Sequence, residues 1–196
     1  KQVVASIKAI PFGIKQKNLQ KIINVSQDCL KILPFQKKNI HLIQTTYQNT
    51  RTKILEKTLE VTMDRLSSCG IDKIVEKKCF HEIKSLSLQL KKSIDEKADI
   101  ILIFGASAIC DINDVIPQSI KNIDGRILRL GMPVEPGNLI LLADIEISKK
   151  YISIIGMPGC ARSKKENGID WILWRKLCEL KICSDDINHM GNGGLL

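Results

Sequence analysis

"IILIFGASAICDIND", residues 100–114, decides how the rest of the chain reads. Ile100 to Phe104 is apolar at every position. A half-exposed strand alternates, so an unbroken run predicts a central strand of a parallel sheet, buried on both faces. Gly105 breaks the run. Gly105, Ala106, Ser107 and Ala108 are all small, so backbone N–H groups in this corner can approach a ligand closely. A helix is expected over 114–122, with Pro117 in its first turn, where a missing N–H does no harm. Asp111 and Asp114 lie just before it. One acidic residue caps a helix and suits its dipole; a second points to further work, such as holding Mg²⁺ or a ligand amine.

Working outward from that strand, strand and helix signals alternate from Asn39 onward, which implies a parallel sheet covered by helices. Ile40, Leu42 and Ile43 open a first strand. Thr50 or Thr52 is the expected cap of a helix whose apolar face is Leu55, Leu59, Met63 and Leu66, and Gly70 is placed to end it. Residues 71–75 read as a second strand, and Ile83, Leu86, Leu90 and Ile94 mark the next helix. Residues 127–130, 139–143 and 151–155 read as short strands. Ile169, Leu173, Leu177 and Leu180 then predict one long final helix, with Trp171 and Trp174 covering the core. The fold class expected is α/β, a Rossmann-like three-layer α/β/α sandwich with a mostly parallel sheet.

A second corner, "GMPGCARSKKENGIDW" at residues 156–171, joins the last strand to that helix. Ser163 and Glu166 form S-x-x-E, a capping box that places the helix start after Ser163. Gly156 and Gly159 leave the approach open, and Arg162, Lys164 and Lys165 add positive charge. Both corners follow buried strands, and in open α/β sheets ligands bind beyond the carboxyl ends of the strands. A phosphate or carboxylate between Gly105–Ala108 and Gly159–Ser163 is therefore expected, with the Arg162 guanidinium forking onto it. Cys110 and Cys160 read as small fillers, since no His lies near either in sequence.

Composition narrows the classes. With 196 residues, 44% apolar and 26% charged, the chain suits one α/β domain with a small appendage. No apolar run exceeds five residues, so no membrane partner is expected. Seven Cys without a C-x-x-C and three scattered His argue against a disulfide framework or structural zinc, and point to the cytoplasm. A net charge of +9 fits small anionic ligands; 4% aromatics and no nucleic-acid motif argue against DNA or RNA. Without an initiator Met or a signal pattern, the chain is expected to be a piece of something longer. There is no G-x-G-x-x-G and no P-loop.

Residues 1–38 form an expected arm. "KAIPF" at 8–12 returns as "KILPF" at 31–35, with Leu19, Ile22, Ile23 and Ser26 between them at helical spacing. Strand, helix, strand is the economical reading, each Pro closing its strand. Residues 39–183 are the main domain, and 184–196 a tail ending "GNGGLL".

"GASAICDINDVIP", "GMPVEPGN" and "GMPGCARSKKENGIDW", in that order and spacing, resemble the molybdopterin-binding domain family of molybdenum-cofactor biosynthesis. The similarity covers about residues 39–183 and is greatest to the bacterial branch fused to a nucleotidyltransferase- or glycosyltransferase-like domain. It implies molybdopterin, or its adenylylated form, as ligand, a possible Mg²⁺, and a dimer or trimer. Gly105 and Ser107 match the family's Gly-Gly-x-Ser turn, with Phe104 in place of the first glycine. Asp114 matches its acidic residue, the candidate catalytic group and metal ligand. Pro136 and Gly137 match its Pro-Gly pair, although Glu135 and Asn138 stand where molybdenumtransferases carry lysines. Pro158, Gly159 and Ser163 match its Pro-Gly-x-x-x-Ser corner; Cys160 and Arg162, within that corner, are further candidate ligand-binding residues. The resemblance implies a domain that binds or hands on the pterin; an active adenylyl- or molybdenumtransferase, and an interaction domain with a decayed pocket, are the alternatives.

Overall fold

In the computed structural model, residues 6, 8, 12–27 and 30–191 are described. The chain separates at Pro34/Phe35 into two units. In the first, α1 spans Gln16–Ser26 and buries none of its residues. Of the strand-helix-strand expected there, the helix is present, whereas Leu30–Phe35 forms no strand. Most of "KAIPF" lies outside the described residues, as does "GNGGLL" beyond its first Gly.

The second unit is built on a six-stranded sheet in the order β2-β1-β3-β6-β5-β4. The strands are β1 Ile40–Thr46, β2 Val75–Phe80, β3 Ile100–Phe104, β4 Arg126–Leu130, β5 Leu141–Ile147 and β6 Lys150–Met157. β2, β1, β3 and β6 are mutually parallel, while β5 runs antiparallel to both its neighbours. The reversal has a local cause. Only Ser148 and Lys149 join β5 to β6, and a two-residue link cannot return a parallel strand. Both take positive φ, 51° and 66°, the geometry of a type I′ hairpin turn that matches strand twist.

Each residue of β3 is buried, as an unbroken apolar run requires. Ile100, Leu102 and Phe104 join a core beneath α2 (Thr52–Ser67), α5 (Gly168–Leu177) and α6 (Ser184–Met190). Ile101 and Ile103 join the core under α3 (Ile83–Asp95) and α4 (Val115–Lys121) on the other face. The result is the expected α/β/α sandwich with a mostly parallel sheet. Trp171 and Trp174 pack half-buried on the first core.

Several local expectations shift. β2 begins where the expected strand ends: Ile71 and Ile74 pack into the core as loop residues, and the ladder is made by the polar edge segment VEKKCF. Neither Thr50 nor Thr52 caps α2; Arg51 holds that position, and Thr50 Oγ1 instead accepts from Tyr47 N. The final helix stops at Leu177. Glu179 takes φ 60° and Leu180 N bonds back to Arg175 O, a left-handed stop, before α6 begins.

His41 on β1 is fully buried, and among the described residues neither ring nitrogen has a hydrogen-bond partner. Burial, helped by the Lys77 charge and opposed by Glu96, holds its pKa below the ordinary value. The native state thus resists a proton that the unfolded chain accepts near pH 6.5. Stability is full above that pH and falls as pH drops through the lowered native pKa. The urea midpoint is expected to be lower at about pH 5 than at about pH 7.5. His41→Leu should flatten that difference; an unaltered slope in the variant would refute the assignment.

Candidate functional site

The strand order places β1 between β2 and β3, with α2 and α3 on opposite faces, so the chain reverses its winding at β1/β3. Crevices at such switch points, beyond the carboxyl ends of the strands, are where α/β sheets bind ligands. Thr45, His81, the 105–108 corner and the Pro158 corner all lie at those ends.

The two sequence corners are neighbours. β3 and β6 pair in register, Phe104 opposite Met157, so the loops that follow leave the sheet side by side. Arg162 ties them together: Nη2 donates to Gly105 O at 3.0 Å, Nε donates to Thr58 Oγ1 at 3.2 Å, and the guanidinium lies 4.8 Å from the centroid of the Phe104 ring. Two of its three nitrogens are already spent on holding the corner together. For the expected fork onto phosphate, Nη1 is the nitrogen left without a partner among the described residues.

At Gly105 a Cβ would sit 2.3 Å from Ser107 O, so only glycine permits this tight reversal. The turn presents Ser107 and Ala108 to solvent, and their backbone N–H groups have no acceptor among the described residues. Ala106 N is taken by Thr45 Oγ1 at 2.8 Å. Farther along, Asp114 Oδ2 accepts from Cys110 N at 2.8 Å and Asp111 N at 2.9 Å, which holds its carboxyl below the ordinary range. Asp111 Oδ1 accepts from Asn113 N. Both carboxylates are therefore turned onto the loop's own backbone, and Asp114 heads α4 without a side-chain cap bond to the helix. Among the described residues no group of three His, Cys, Asp or Glu is placed to hold a metal ion.

The second corner also departs from expectation. Residues Gly159–Arg162 form a 3₁₀ turn headed by Pro158, and Gly159 N finds no acceptor among the described residues. The capping box of α5 is Asn167 with Asp170, four residues beyond Ser163 and Glu166. Glu166 accepts instead from Trp171 Nε1, and exposed Ser163 Oγ from Lys165 N at 3.3 Å. The Pro-Gly pair seats this helix: Pro136 O accepts from Gly168 N at 2.9 Å, and a Cβ on Gly137 would meet Gly168 N at 2.8 Å. Cys160 is half-buried; burial first, then the Glu135 charge, pushes its thiol up, as suits a filler.

A cavity of about 810 Å³ opens between α2 and this corner, lined by Lys57, Gly159, Cys160, Arg162, Ser163 and Lys164 among others. Its volume lies within the range of small-molecule sites. Lys164 is paired with Glu60 and Asp64, whereas Lys57 takes part in no ion pair among the described residues. Another cavity, about 820 Å³, lies at the opposite end of the sheet, around Asp99, Lys150 and Lys176.

Sequence reasoning missed His81. It sits one residue beyond β2, hydrogen-bonded to Thr45 Oγ1 at 2.7 Å and Ser107 Oγ at 2.9 Å. A lone histidine after a polar edge strand carries no local signal of partners 36 and 26 residues away.

No helix among the described residues is long and apolar enough to cross a membrane. No family model matches the chain, and no curated protein matches it. Among solved structures it is similar to the tungsten cofactor synthesizing protein MoaB from Pyrococcus furiosus, at 13% identity and a TM-score of 0.46, over 65% of this chain and 86% of that one.

Proposed function

We propose that the chain binds molybdopterin or its adenylylated form and acts in molybdenum-cofactor biosynthesis. The three ordered motifs support the family reading. The observation that carries the site is the Arg162–Gly105 bond, which sets two corners beside each other at the ends of neighbouring parallel strands. Amides of Ser107, Ala108 and Gly159 are left there without protein acceptors among the described residues. Backbone donors of that kind receive a phosphate without competing with it for charge. The pterin rings would occupy the 810 Å³ cavity beside α2, with Lys57 as the cation available to the phosphate.

Binding, rather than transfer, is the favoured reading. Asp111 and Asp114 bond to their own loop, and Glu135 would repel an incoming molybdate. Isothermal titration of the full chain with molybdopterin, with and without Mg²⁺, tests this. Saturable heat independent of Mg²⁺ is expected. Lys57→Glu should weaken binding about tenfold, a loss of about 1.4 kcal/mol. Asp114→Asn should leave affinity unchanged. Absence of heat in the wild type refutes the ligand, and a Mg²⁺ requirement lost in Asp114→Asn refutes the passive role.

A further inference from the structure

Thr45, His81 and Ser107 converge from three separate elements: the end of β1, the residue after β2 and the loop after β3. Thr45 is 2% exposed and His81 9%, whereas Ser107 is open to solvent. The chain of contacts runs Ala106 N to Thr45 Oγ1 at 2.8 Å, Thr45 Oγ1 to His81 Nδ1 at 2.7 Å, and His81 Nε2 to Ser107 Oγ at 2.9 Å. Thr45 Oγ1 also reaches Phe104 O at 3.5 Å.

The Thr45 hydroxyl has a single hydrogen, and its direction sets the tautomer of His81. Given to Phe104 O, it leaves Thr45 Oγ1 accepting from Ala106 N and from His81 Nδ1–H, and every polar atom of the set is used. Given to His81 Nδ1, it forfeits the Phe104 contact. The satisfied arrangement leaves the lone pair of Nε2 facing Ser107, whose hydroxyl donates to it. A nucleophile within hydrogen-bond reach of a base, with that base held by a third group, is the geometry of an activated serine. The glycine at 105 permits the tight turn that delivers Ser107 to the imidazole.

We propose that Ser107 is a nucleophile with His81 as its general base and Thr45 as the group that orients it, and that this crevice hydrolyses small acyl esters. Ser107 Oγ attacks the ester carbonyl carbon as its proton passes to His81 Nε2. The carbonyl oxygen, now anionic, is received by the N–H groups of Ser107 and Ala108, which have no other acceptor among the described residues. Collapse breaks the bond to the alkoxy oxygen, which leaves as the alcohol with the proton from His81. Water then attacks the acyl-serine, giving one proton to His81, which returns it to Ser107 Oγ as the carboxylic acid departs. The groups facing His81 are Thr45 and the Tyr47 ring from β1 and the loop after it, with Ser107 and Asp114 from the loop after β3. Burial lowers the His81 pKa against the opposing Asp114 charge, so the imidazole is neutral at pH 7 and free to act as a base. This activity needs no pterin.

The test is p-nitrophenyl acetate on the full chain, following p-nitrophenolate release and locating the acetyl group by peptide mass spectrometry. An acetyl on Ser107 is expected, lost in Ser107→Ala and formed about 100-fold more slowly in His81→Gln. In the wild type its rate should rise with pH through one titration centred below about 6.5. Acetylation confined to lysines and cysteines overturns the proposal. So does a Ser107 rate indifferent to pH, a readout that needs no variant and stands even where His81→Gln fails to fold. Loss of molybdopterin binding with Ser107 acetylation intact would refute the pterin reading alone.

Discussion

Arg162→Lys is expected to lower stability by about 2 kcal/mol, the scale of a hydrogen bond made by a charged group, while keeping the positive charge at the crevice. The guanidinium spans Thr58 on α2 and Gly105 after β3 and covers the Phe104 ring. Thr58 is fully buried and its own hydroxyl donates to Ile54 O, so the lone pair offered to Arg162 has no alternative donor at hand. A lysine ammonium reaches one of these acceptors but lacks the planar fork to hold both. Denaturant unfolding of the variant should therefore show a reduced midpoint with an unchanged slope. If Arg162 instead served mainly as a ligand cation, Lys would preserve the midpoint and weaken only anion binding. That outcome would restore the role first read from the sequence.

The sequence carries the layered fold because its signals there are local and redundant. Ile100–Phe104 has five apolar residues in a row, and a strand covered on both faces buries them all. β2 lies beyond the expected strand because the sheet edge needs no apolar run: Glu76, Lys77 and Lys78 make the ladder, while Ile71 and Ile74, which look like strand residues, are loop residues in the core. The hairpin turn at Ser148–Lys149 was unreadable because it carries neither Asn nor Gly.

The candidate site was legible in outline for the same reason. Glycines and small residues after buried strands announce a corner. What fills the corner is set by partners far away in sequence. Ser163–Glu166 and Asn167–Asp170 both have the acceptor-x-x-acid spacing of a capping box. The second is used, and Asp170 has a further partner in Arg65, 105 residues away. Asp111 and Asp114 each accept from backbone N–H groups of their own loop, bonds that their charge pattern alone does not announce. His81 gave no local hint at all.

Arg65→Met should cost more than any other substitution considered, about 3–5 kcal/mol, because it strips a buried carboxylate of its counter-charge. Arg65 and Asp170 are 8% and 5% exposed, and they pair directly between α2 and the first turn of α5. The same guanidinium donates to Ser163 O, Lys165 O and Ala161 O, so it also fastens the second corner to α2. Asp170→Asn should be milder. Its side-chain oxygen still accepts from Asn167 N, and Arg65 keeps three carbonyl oxygens as acceptors. Combining both substitutions should recover part of the loss, since the uncompensated carboxylate is gone. The corner supplies an additional readout. With Arg65 replaced, nothing on α2 holds the carbonyls of Ala161, Ser163 and Lys165, and cleavage by trypsin after Lys164 or Lys165 should outpace cleavage elsewhere in the chain. Equal costs for Arg65→Met and Asp170→Asn, with no added cleavage at those lysines, would mean that the ion pair matters only as a pair and that the corner stands without it.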